Sequence, residues 1–204
     1  MPNHITNRMA VYASDDLVEE ILLKIAKDAS DDECEADALY GIGSIDFNKI
    51  IPQPPDIVTK AMTMEERAAC KGRDWYTWNV ANWGTKWNAY YCERIDIHVI
   101  KFSTAWDGVP EVIFKLAEMY PEAEFEYSHW DEDFGNNVCR YRIKGTEILD
   151  EEYPEDFSKE AYELIFDVED AEPADFNMVY DAKTDNYRYA DDEEEVFDAE
   201  DAAV

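Results

Sequence analysis

The order of apolar and polar positions predicts strands and helices in succession over the first 146 residues. Five strands are predicted, over residues 5–12, 87–97, 99–105, 123–130 and 138–144. Apolar residues at helical spacing predict a helix capped near Asp16 and another that begins at Pro110, a residue suited to a first helical turn. The last two strands lie close enough in sequence to pair as a hairpin.

The segment between the first helix and the second strand has a less regular pattern. The acidic stretch 28–38 predicts a solvated loop, and residues 42–51 an extended segment that ends in a rigid proline corner at 52–55. Residues 56–72 favour a helix with a weak apolar face. Strand–helix–strand units that return to one sheet predict an α+β fold: a ferredoxin-like antiparallel sheet with helices packed on one face.

The composition changes after residue 146. Residues 147–204 contain 23 acidic and three basic residues, whereas residues 1–146 contain 26 acidic and 15 basic ones. Within the acidic part, the pattern predicts a helix at 154–166 and a hairpin between 176–180 and 187–189. Three segments are therefore predicted: a ferredoxin-like domain over 1–146, an acidic extension over 147–190 and a disordered acidic tail over 191–204.

The net charge of −31 limits the class of partner. Such a charge repels nucleic acid and anionic membranes and favours a basic protein surface, so we expect no direct nucleic-acid binding and no membrane binding. The sequence has no recognisable signal peptide, no apolar run of membrane-spanning length and no Cys-x-x-Cys pair. We therefore expect free thiols and a location in the cytoplasm of a host cell.

A tryptophan-rich stretch from Asn82 to Tyr91 is predicted to form a buried corner of the fold, with a turn at Gly84. Large rings in such a corner are typical of core residues, and the polar residues between them are typical of a tight turn. The sharper hypothesis is a ligand pocket lined by these rings. Its candidate residues are Trp75, Trp78, Asn82, Trp83, Lys86, Trp87, Asn88 and Trp106.

Motifs that carry known chemistry are weak in this sequence. The best metal-like group, His129 with Asp131 to Asp133, is more typical of a solvated acidic loop. A calcium-loop pattern at 181–186 has Lys183 at a ligand position and Asn186 where a glycine is needed. No glycine-rich phosphate loop and no Gly-x-Ser-x-Gly elbow occurs. The sequence therefore predicts no metal, no cofactor and no catalytic residue, and it favours a non-enzymatic protein.

Four short motifs occur in an order typical of one protein family. They are Met-Pro-Asn-His-Ile-Thr-Asn-Arg at 1–8, Phe-Asn-Lys-Ile-Ile-Pro at 47–52, Asn-Trp-Gly-Thr-Lys-Trp-Asn-Ala at 82–89 and Phe-Ser-Thr-Ala-Trp at 102–106. With these motifs, residues 1–146 resemble the phage and plasmid family whose core is called the YubB ferredoxin-like domain. The resemblance implies a ferredoxin-like fold carried by mobile genetic elements. It implies no activity and no catalytic residues, since one fold hosts many functions.

The charge and the resemblance together lead to a first hypothesis, a phage or mobile-element protein that binds a basic host protein. Its carboxylates would replace phosphates opposite lysine and arginine, as in a nucleic-acid mimic that inhibits a defence nuclease such as a CRISPR effector. The acids expected to contact that partner lie after residue 146. They are Asp150, Glu151, Glu152, Glu155, Asp156, Asp167, Glu169, Asp170, Asp191, Asp192, Glu193, Glu194 and Glu195.

Two alternatives stay open at this point. One is a small-ligand-binding or enzymatic domain that uses the tryptophan-rich stretch as a pocket, which requires a preformed cavity with a few convergent polar groups. The other is an accessory phage protein whose acidic segment tethers a basic partner. The sequence alone does not name the partner or the oligomeric state.

Overall fold

A computed structural model describes residues 3–28, 40–60 and 62–190. The elements are β1 (His4–Tyr12), α1 (Asp15–Ile25), α2 (Met64–Cys70), α3 (Trp75–Trp83), β2 (Tyr90–Arg94), β3 (Val99–Ala105), α4 (Pro110–Met119), β4 (Glu124–Asp131), β5 (Cys139–Lys144), β6 (Glu147–Glu152), α5 (Lys159–Glu169), β7 (Met178–Asp181) and β8 (Asn186–Tyr189). Short 3₁₀ turns occur at Phe47–Lys49 and Pro173–Phe176.

Six strands form one antiparallel sheet in the order β2-β3-β1-β4-β5-β6, and β7 pairs with β8 in a separate hairpin. The unit β1-α1-β2-β3-α4-β4 is a split βαβ arrangement in which β1 lies between β3 and β4. This is the ferredoxin-like topology, so the predicted fold class is confirmed.

The core lies between one face of the sheet and helices α1 and α4. Alternate β1 residues Ile5, Asn7, Met9 and Val11 are buried, as the two-residue period of a strand requires. One apolar cluster joins residues of the three elements: Met9, Val11, Ile100, Phe102 and Phe125 from the sheet, Val18, Ile21, Leu22 and Ile25 from α1, and Val112, Ile113 and Leu116 from α4. We call this side the core face.

Helix α5 packs against the opposite side of the sheet, which we call the back face. Trp130 follows the core-facing His129 along β4, so its ring points to the back face. There it contacts a second apolar cluster to which α5 contributes Ala161, Leu164, Ile165 and Val168. The prediction of helices on one face therefore holds for the βαββαβ unit, and the acidic extension adds a helix to the other face.

Several predicted bounds are wrong, for local reasons. The helix predicted over 56–72 is reduced to α2, because a capping box at Thr63 and Glu66 starts it late. The helix predicted over 154–166 begins only after Ser158, whose side chain accepts a hydrogen bond from the Ala161 amide. The strand predicted over 87–97 is reduced to β2. Residues 42–51 contain a 3₁₀ turn in place of an extended segment.

Strand β6 begins where the domain was predicted to end, and it pairs with β5 from Lys144–Glu147 to Arg140–Glu152. The sheet therefore continues past residue 146. The loop predicted at 28–38, apart from Asp28, and the tail predicted at 191–204 lie outside the described residues. None of the helices in the described part of the chain has the length and apolar character of a membrane span.

Candidate functional site

The acidic extension is held on the sheet by a helix that is apolar on one side only. Ala161 and Ile165 are fully buried, and Leu164 and Val168 are nearly so. These positions recur every three or four residues, so they share one face of α5. The other face of α5 is consequently fixed toward solvent.

Ion pairs add to this apolar contact at the end of α5. Arg140 on β5 bonds to Glu152 on β6 and to Asp167 on α5, and Lys101 on β3 bonds to Glu169. Hydrogen bonds to both carboxylates raise the pKa of Arg140 against the lowering effect of its partial burial. Three of the predicted partner-binding acids, Glu152, Asp167 and Glu169, thus contact the protein's own basic residues.

The remaining described acids of that prediction, Asp150, Glu151, Glu155, Asp156 and Asp170, are exposed. Two of them also accept backbone hydrogen bonds: an Asp150 carboxylate oxygen from the Glu151 amide at 3.0 Å, and an Asp156 oxygen from the Asn137 amide at 2.9 Å. These bonds fix the side chains in place and leave most of each carboxylate in solvent. The predicted acids from Asp191 to Glu195 lie outside the described residues.

Sequence reasoning missed two acids of the same surface. Glu160 and Glu163 are exposed on α5, and with Asp167 and Asp170 they occupy positions i, i+3, i+7 and i+10. This spacing places the first three carboxylates on one side of the helix, and Asp170 follows them as the left-handed C-cap residue. We call them the acidic stripe. The helical spacing of the acids would have identified them, once the apolar positions had defined which face of the helix is buried.

The distal part of the extension has its own small aromatic core. Phe134 stacks on Phe176 with ring centroids 4.7 Å apart, and Phe166 meets Tyr187 edge to face at 5.1 Å. Met178 of β7 is buried in the same cluster. The hairpin of β7 and β8 is therefore packed on the face of α5 near Phe166, so α5 is supported on more than its sheet side.

The polar residues of the tryptophan-rich stretch satisfy backbone groups. Asn82 donates to the Trp78 carbonyl at 2.8 Å, and the Asn88 side-chain oxygen accepts from the Phe47 amide at 3.0 Å. Buried Thr85 exchanges two hydrogen bonds with the backbone of Ala105. The predicted turn at Gly84 is confirmed: it ends α3 with φ +79°, where a side chain would be strained.

The predicted pocket residues divide into a core group and a surface group. Trp83 is buried, donates from its indole to the Ile51 carbonyl at 2.9 Å, and meets Trp78 edge to face at 5.5 Å. Trp75 is half-buried at the start of α3. Trp87 and Trp106, in contrast, are 38% and 41% exposed. The Nζ atom of Lys86 lies 4.3 Å from the Trp87 ring centroid and 5.4 Å from that of Trp106.

A surface cavity of about 470 Å³ lies elsewhere, near the C-terminal end of α1. It is lined by Glu20, Leu23, Lys24, Lys49 and Tyr120. None of the predicted pocket residues contributes to it. The hypothesis of a ligand pocket at the tryptophan-rich stretch stays a prediction.

A buried cysteine–histidine pair on the core face is a third place where chemistry could occur. Cys139 and His129 lie opposite each other on β5 and β4, with Sγ 3.1 Å from Nδ1, and Asp107 Oδ1 lies 3.8 Å from His129 Nε2. Burial raises the pKa of the Cys139 thiol to about 12 and lowers the pKa of His129. A thiol of this kind stays protonated, which is the opposite of an activated nucleophile. We therefore assign the pair a structural role.

Sequence reasoning did not bring Cys139 and His129 together, although the predicted hairpin of residues 123–130 and 138–144 contained the signal. Across the residues that the structure describes, no group of three histidine, cysteine, aspartate or glutamate side chains is arranged to hold a metal ion.

Comparison with known proteins adds one finding. Residues 86–172 match the family model described as the ferredoxin-like domain in Api92-like protein. The domain is ferredoxin-like. The match begins just before β2 and ends after α5, so it includes both β6 and the helix that carries the acidic stripe. Comparisons with curated proteins and with solved structures found no match.

Proposed function

We propose that this protein is a non-enzymatic binding protein of a phage or related mobile element. Its acidic extension would occupy the basic, nucleic-acid-binding groove of a host protein, as a nucleic-acid mimic that inhibits a defence nuclease of the CRISPR type. The observation that carries this proposal is the acidic stripe: exposed carboxylates on the solvent side of α5 and at its C-cap, of which Asp167 also pairs with Arg140, while the other side of the helix is buried on the sheet.

The spacing of the stripe suits a groove that binds phosphates. Ten residues separate Glu160 from Asp170, which corresponds to about 15 Å along a helix. Neighbouring carboxylates are therefore about 5 Å apart along the axis, of the same order as the rise of about 3.4 Å per phosphate on one DNA strand. Because α5 is already helical and packed on the sheet, its backbone need not be ordered when the stripe meets a basic surface.

The position of the acids supports a binding role over a stabilising one. Asp167, Glu169 and Asp170 lie at the C-terminal end of α5, and no basic residue lies in its last turn. The negative end of a helix dipole favours cations there, so each exposed carboxylate costs about 0.3–1 kcal/mol. Arg140 and Lys101 offset part of that cost for two of the acids. Helix stability alone does not explain the arrangement.

The whole extension carries a net negative charge, as the acidic stripe does. Residues 147–190 contain 15 acidic and three basic residues, a net charge of −12. A concentrated field of this kind speeds encounter with a basic partner and makes the association rate sensitive to salt.

A capture experiment with matched variants tests the proposal. The stripe variant carries Glu160→Gln, Glu163→Gln, Asp167→Asn and Asp170→Asn. The control variant carries Glu20→Gln, Glu93→Gln, Glu118→Gln and Glu122→Gln, which removes the same charge from exposed residues outside the extension. Each protein is used as bait in a bacterial lysate at about 150 mM salt, with and without double-stranded DNA as competitor, and captured proteins are identified by mass spectrometry.

We expect the unmodified protein to capture a nucleic-acid-binding protein that DNA displaces. The stripe variant should capture roughly tenfold less of it, and the control variant about the same amount. Equal capture by all three baits, or capture that DNA does not reduce, would contradict the proposal. Thermal unfolding of each bait checks that the substitutions leave the fold intact.

A further inference from the structure

Five aromatic residues beside the end of β3 form two groups of contacting rings, and Lys86 lies over one ring of each group. Tyr76 meets Trp106 edge to face at 6.0 Å, Trp87 meets Tyr90 at 6.3 Å, and Tyr90 meets Tyr91 at 5.1 Å. We call these five residues the aromatic patch. Trp87, Trp106 and Tyr91 each expose more than a third of their surface. Aromatic side chains of this size are enriched at interfaces, where they supply the anchoring contacts.

The backbone at two residues of the patch is strained. Trp106 has φ +77° and Tyr91 has φ +48°, in the left-handed region that bulky residues rarely adopt. The Trp106 amide donates to the Asn3 carbonyl at 3.0 Å, which helps to hold this conformation. The two strained residues are exposed, so burial of their rings does not explain the strain. Strain that the surrounding structure maintains is typical of functional surfaces.

A cation already lies on the patch. The ammonium of Lys86 is within cation–π distance of both Trp87 and Trp106, and Arg67 lies 4.3 Å from the Tyr76 ring centroid. Within the described residues, Lys86 forms no ion pair with a carboxylate. Both indole rings are therefore within cation–π distance of one ammonium group.

Carboxylates beside the patch have the sign that favours a cationic ligand. Asp107 directly follows Trp106, and its side chain is 62% exposed. Glu132 is close enough to Tyr90 that, after burial and Tyr91, its charge helps to raise the pKa of Tyr90 to about 12. The Asp107 carboxylate also accepts hydrogen bonds from the Gly108 amide and the Asn137 side chain, so its charge favours a cation near the patch without direct contact with the rings.

We infer that Trp87 and Trp106 form a clamp for an arginine or lysine side chain of a basic partner, and that Lys86 fills this clamp in the free protein. The inference rests on the proposed function, because it takes the partner to be basic. The clamp would be a second binding site outside the extension. There the partner's cation would contact the faces of the indole rings, and the net charge of the protein would matter less.

An anionic ring-containing ligand is the competing occupant, since it would stack on an indole and bind Lys86 as a counter-ion. The two occupants predict opposite effects of Lys86→Met. Removal of the lysine charge frees the clamp and removes repulsion if the ligand is a cation. It removes the counter-charge if the ligand is an anion.

The experiment uses a hexa-arginine peptide as the probe and the full chain carrying the four stripe substitutions, so that peptide binding to the stripe is removed. Titration at about 150 mM salt is followed by isothermal calorimetry and by the indole N–H signals of Trp87 and Trp106 in NMR spectra. Trp106→Ala should weaken binding about 2- to 30-fold, and Trp106→Phe by less, because tryptophan is the best ring for a cation. Lys86→Met should tighten it several-fold. Tyr153→Ala, which alters an exposed ring elsewhere, should have no effect.

A saturable shift of both indole signals with tighter binding by Lys86→Met supports the clamp. Unchanged indole signals, or weaker binding by Lys86→Met, would overturn it. Either result is independent of the capture experiment, in which the stripe alone is changed. The experiments can therefore contradict the clamp while they support partner binding by the stripe, and they can equally support the clamp while they contradict the stripe.

Discussion

The two faces of the sheet are covered by helices in different ways. The core face is closed by α1 and α4 through a continuous apolar cluster, with a few buried polar groups that bond to one another. The back face is closed by α5 through a smaller apolar cluster bordered by the ion pairs of Arg140 and Lys101. The core face thus depends on close packing, whereas the back face is held by a smaller apolar contact together with ion pairs from a few of the acids of the extension.

The difference indicates that the extension can separate from the sheet at a lower free-energy cost than the core can unfold. Local opening free energies vary across a structure and are lowest where buried apolar contact is sparse. The predictions below test whether the two faces differ in this way.

The largest effect is expected from two glycine substitutions, one on each face. A Cβ at Gly108 would lie 2.2 Å from His129 Nδ1 on the core face, and a Cβ at Gly135, where φ is +96°, would lie 2.5 Å from the Tyr162 ring of α5. Gly108→Ala should reduce the global free energy of unfolding by about 3 kcal/mol, measured by urea denaturation. Gly135→Ala should mainly increase amide hydrogen exchange in α5 and the hairpin of β7 and β8.

Adding His129→Ala to Gly108→Ala removes the ring that causes the clash and should restore part of the lost stability. No restoration, or equal global destabilisation by both glycine substitutions, would contradict the proposed difference between the faces.

A smaller effect is expected for Tyr127→Phe on the core face. The Tyr127 hydroxyl donates to Asn7 Oδ1 and accepts from the Val109 amide, each at 2.6 Å, and burial raises the pKa of Tyr127 well above its usual value. Without the hydroxyl, two buried polar groups lose a partner, at a cost of about 1–3 kcal/mol. Urea denaturation measures the change. Tyr141→Phe is the control, because within the described residues the Tyr141 hydroxyl forms no hydrogen bond, and a similar loss there would contradict the assignment.

The pH dependence of stability should report the burial of His129. Desolvation lowers its pKa in the folded state, so the unfolded chain binds this proton more readily. The contribution is complete above the unfolded pKa of about 6.5 and is lost as pH falls from there through the folded pKa. Urea denaturation between pH 8 and 5 should show a loss on acidification that is smaller in His129→Asn. His98 is the internal contrast, because its pKa is raised by a bond to the Val11 carbonyl and by Asp15, so its contribution is lost as pH rises.

The smallest effect is expected for the ion pairs of the back face. Arg140→Met keeps most of the aliphatic contact and leaves Glu152 and Asp167 without their counter-charge. A loss of about 1 kcal/mol or less is expected, because the side chains of Glu152 and Asp167 are 42% and 69% exposed to solvent. Hydrogen exchange in α5 measures it, with Arg142→Met, which pairs with Glu124 away from α5, as the control. A loss of several kcal/mol would show that charge, and not apolar contact, holds the extension.

The amino-acid sequence by itself determined the periodic elements and the sign of the charge. The strands β1, β3, β4 and β5, the helices α1 and α4 and the ferredoxin-like order follow from apolar spacing, because that spacing is a local property of the chain. The concentration of acids after residue 146 is likewise legible without a structure. Local signals were insufficient for α3, whose aromatic residues surround the helix, and for the start of α5.

Only the tertiary structure decided which side chains meet. It paired Glu152, Asp167 and Glu169 with basic residues of the sheet and left Glu160, Glu163 and Asp170 exposed. It also separated buried Trp83 from exposed Trp87. Such outcomes depend on strand register and on the face that a helix covers, and both are set by contacts between residues far apart in sequence. With a different strand register or a different buried helix face, the same residues could have been buried in the core, paired with basic residues or exposed on a binding surface.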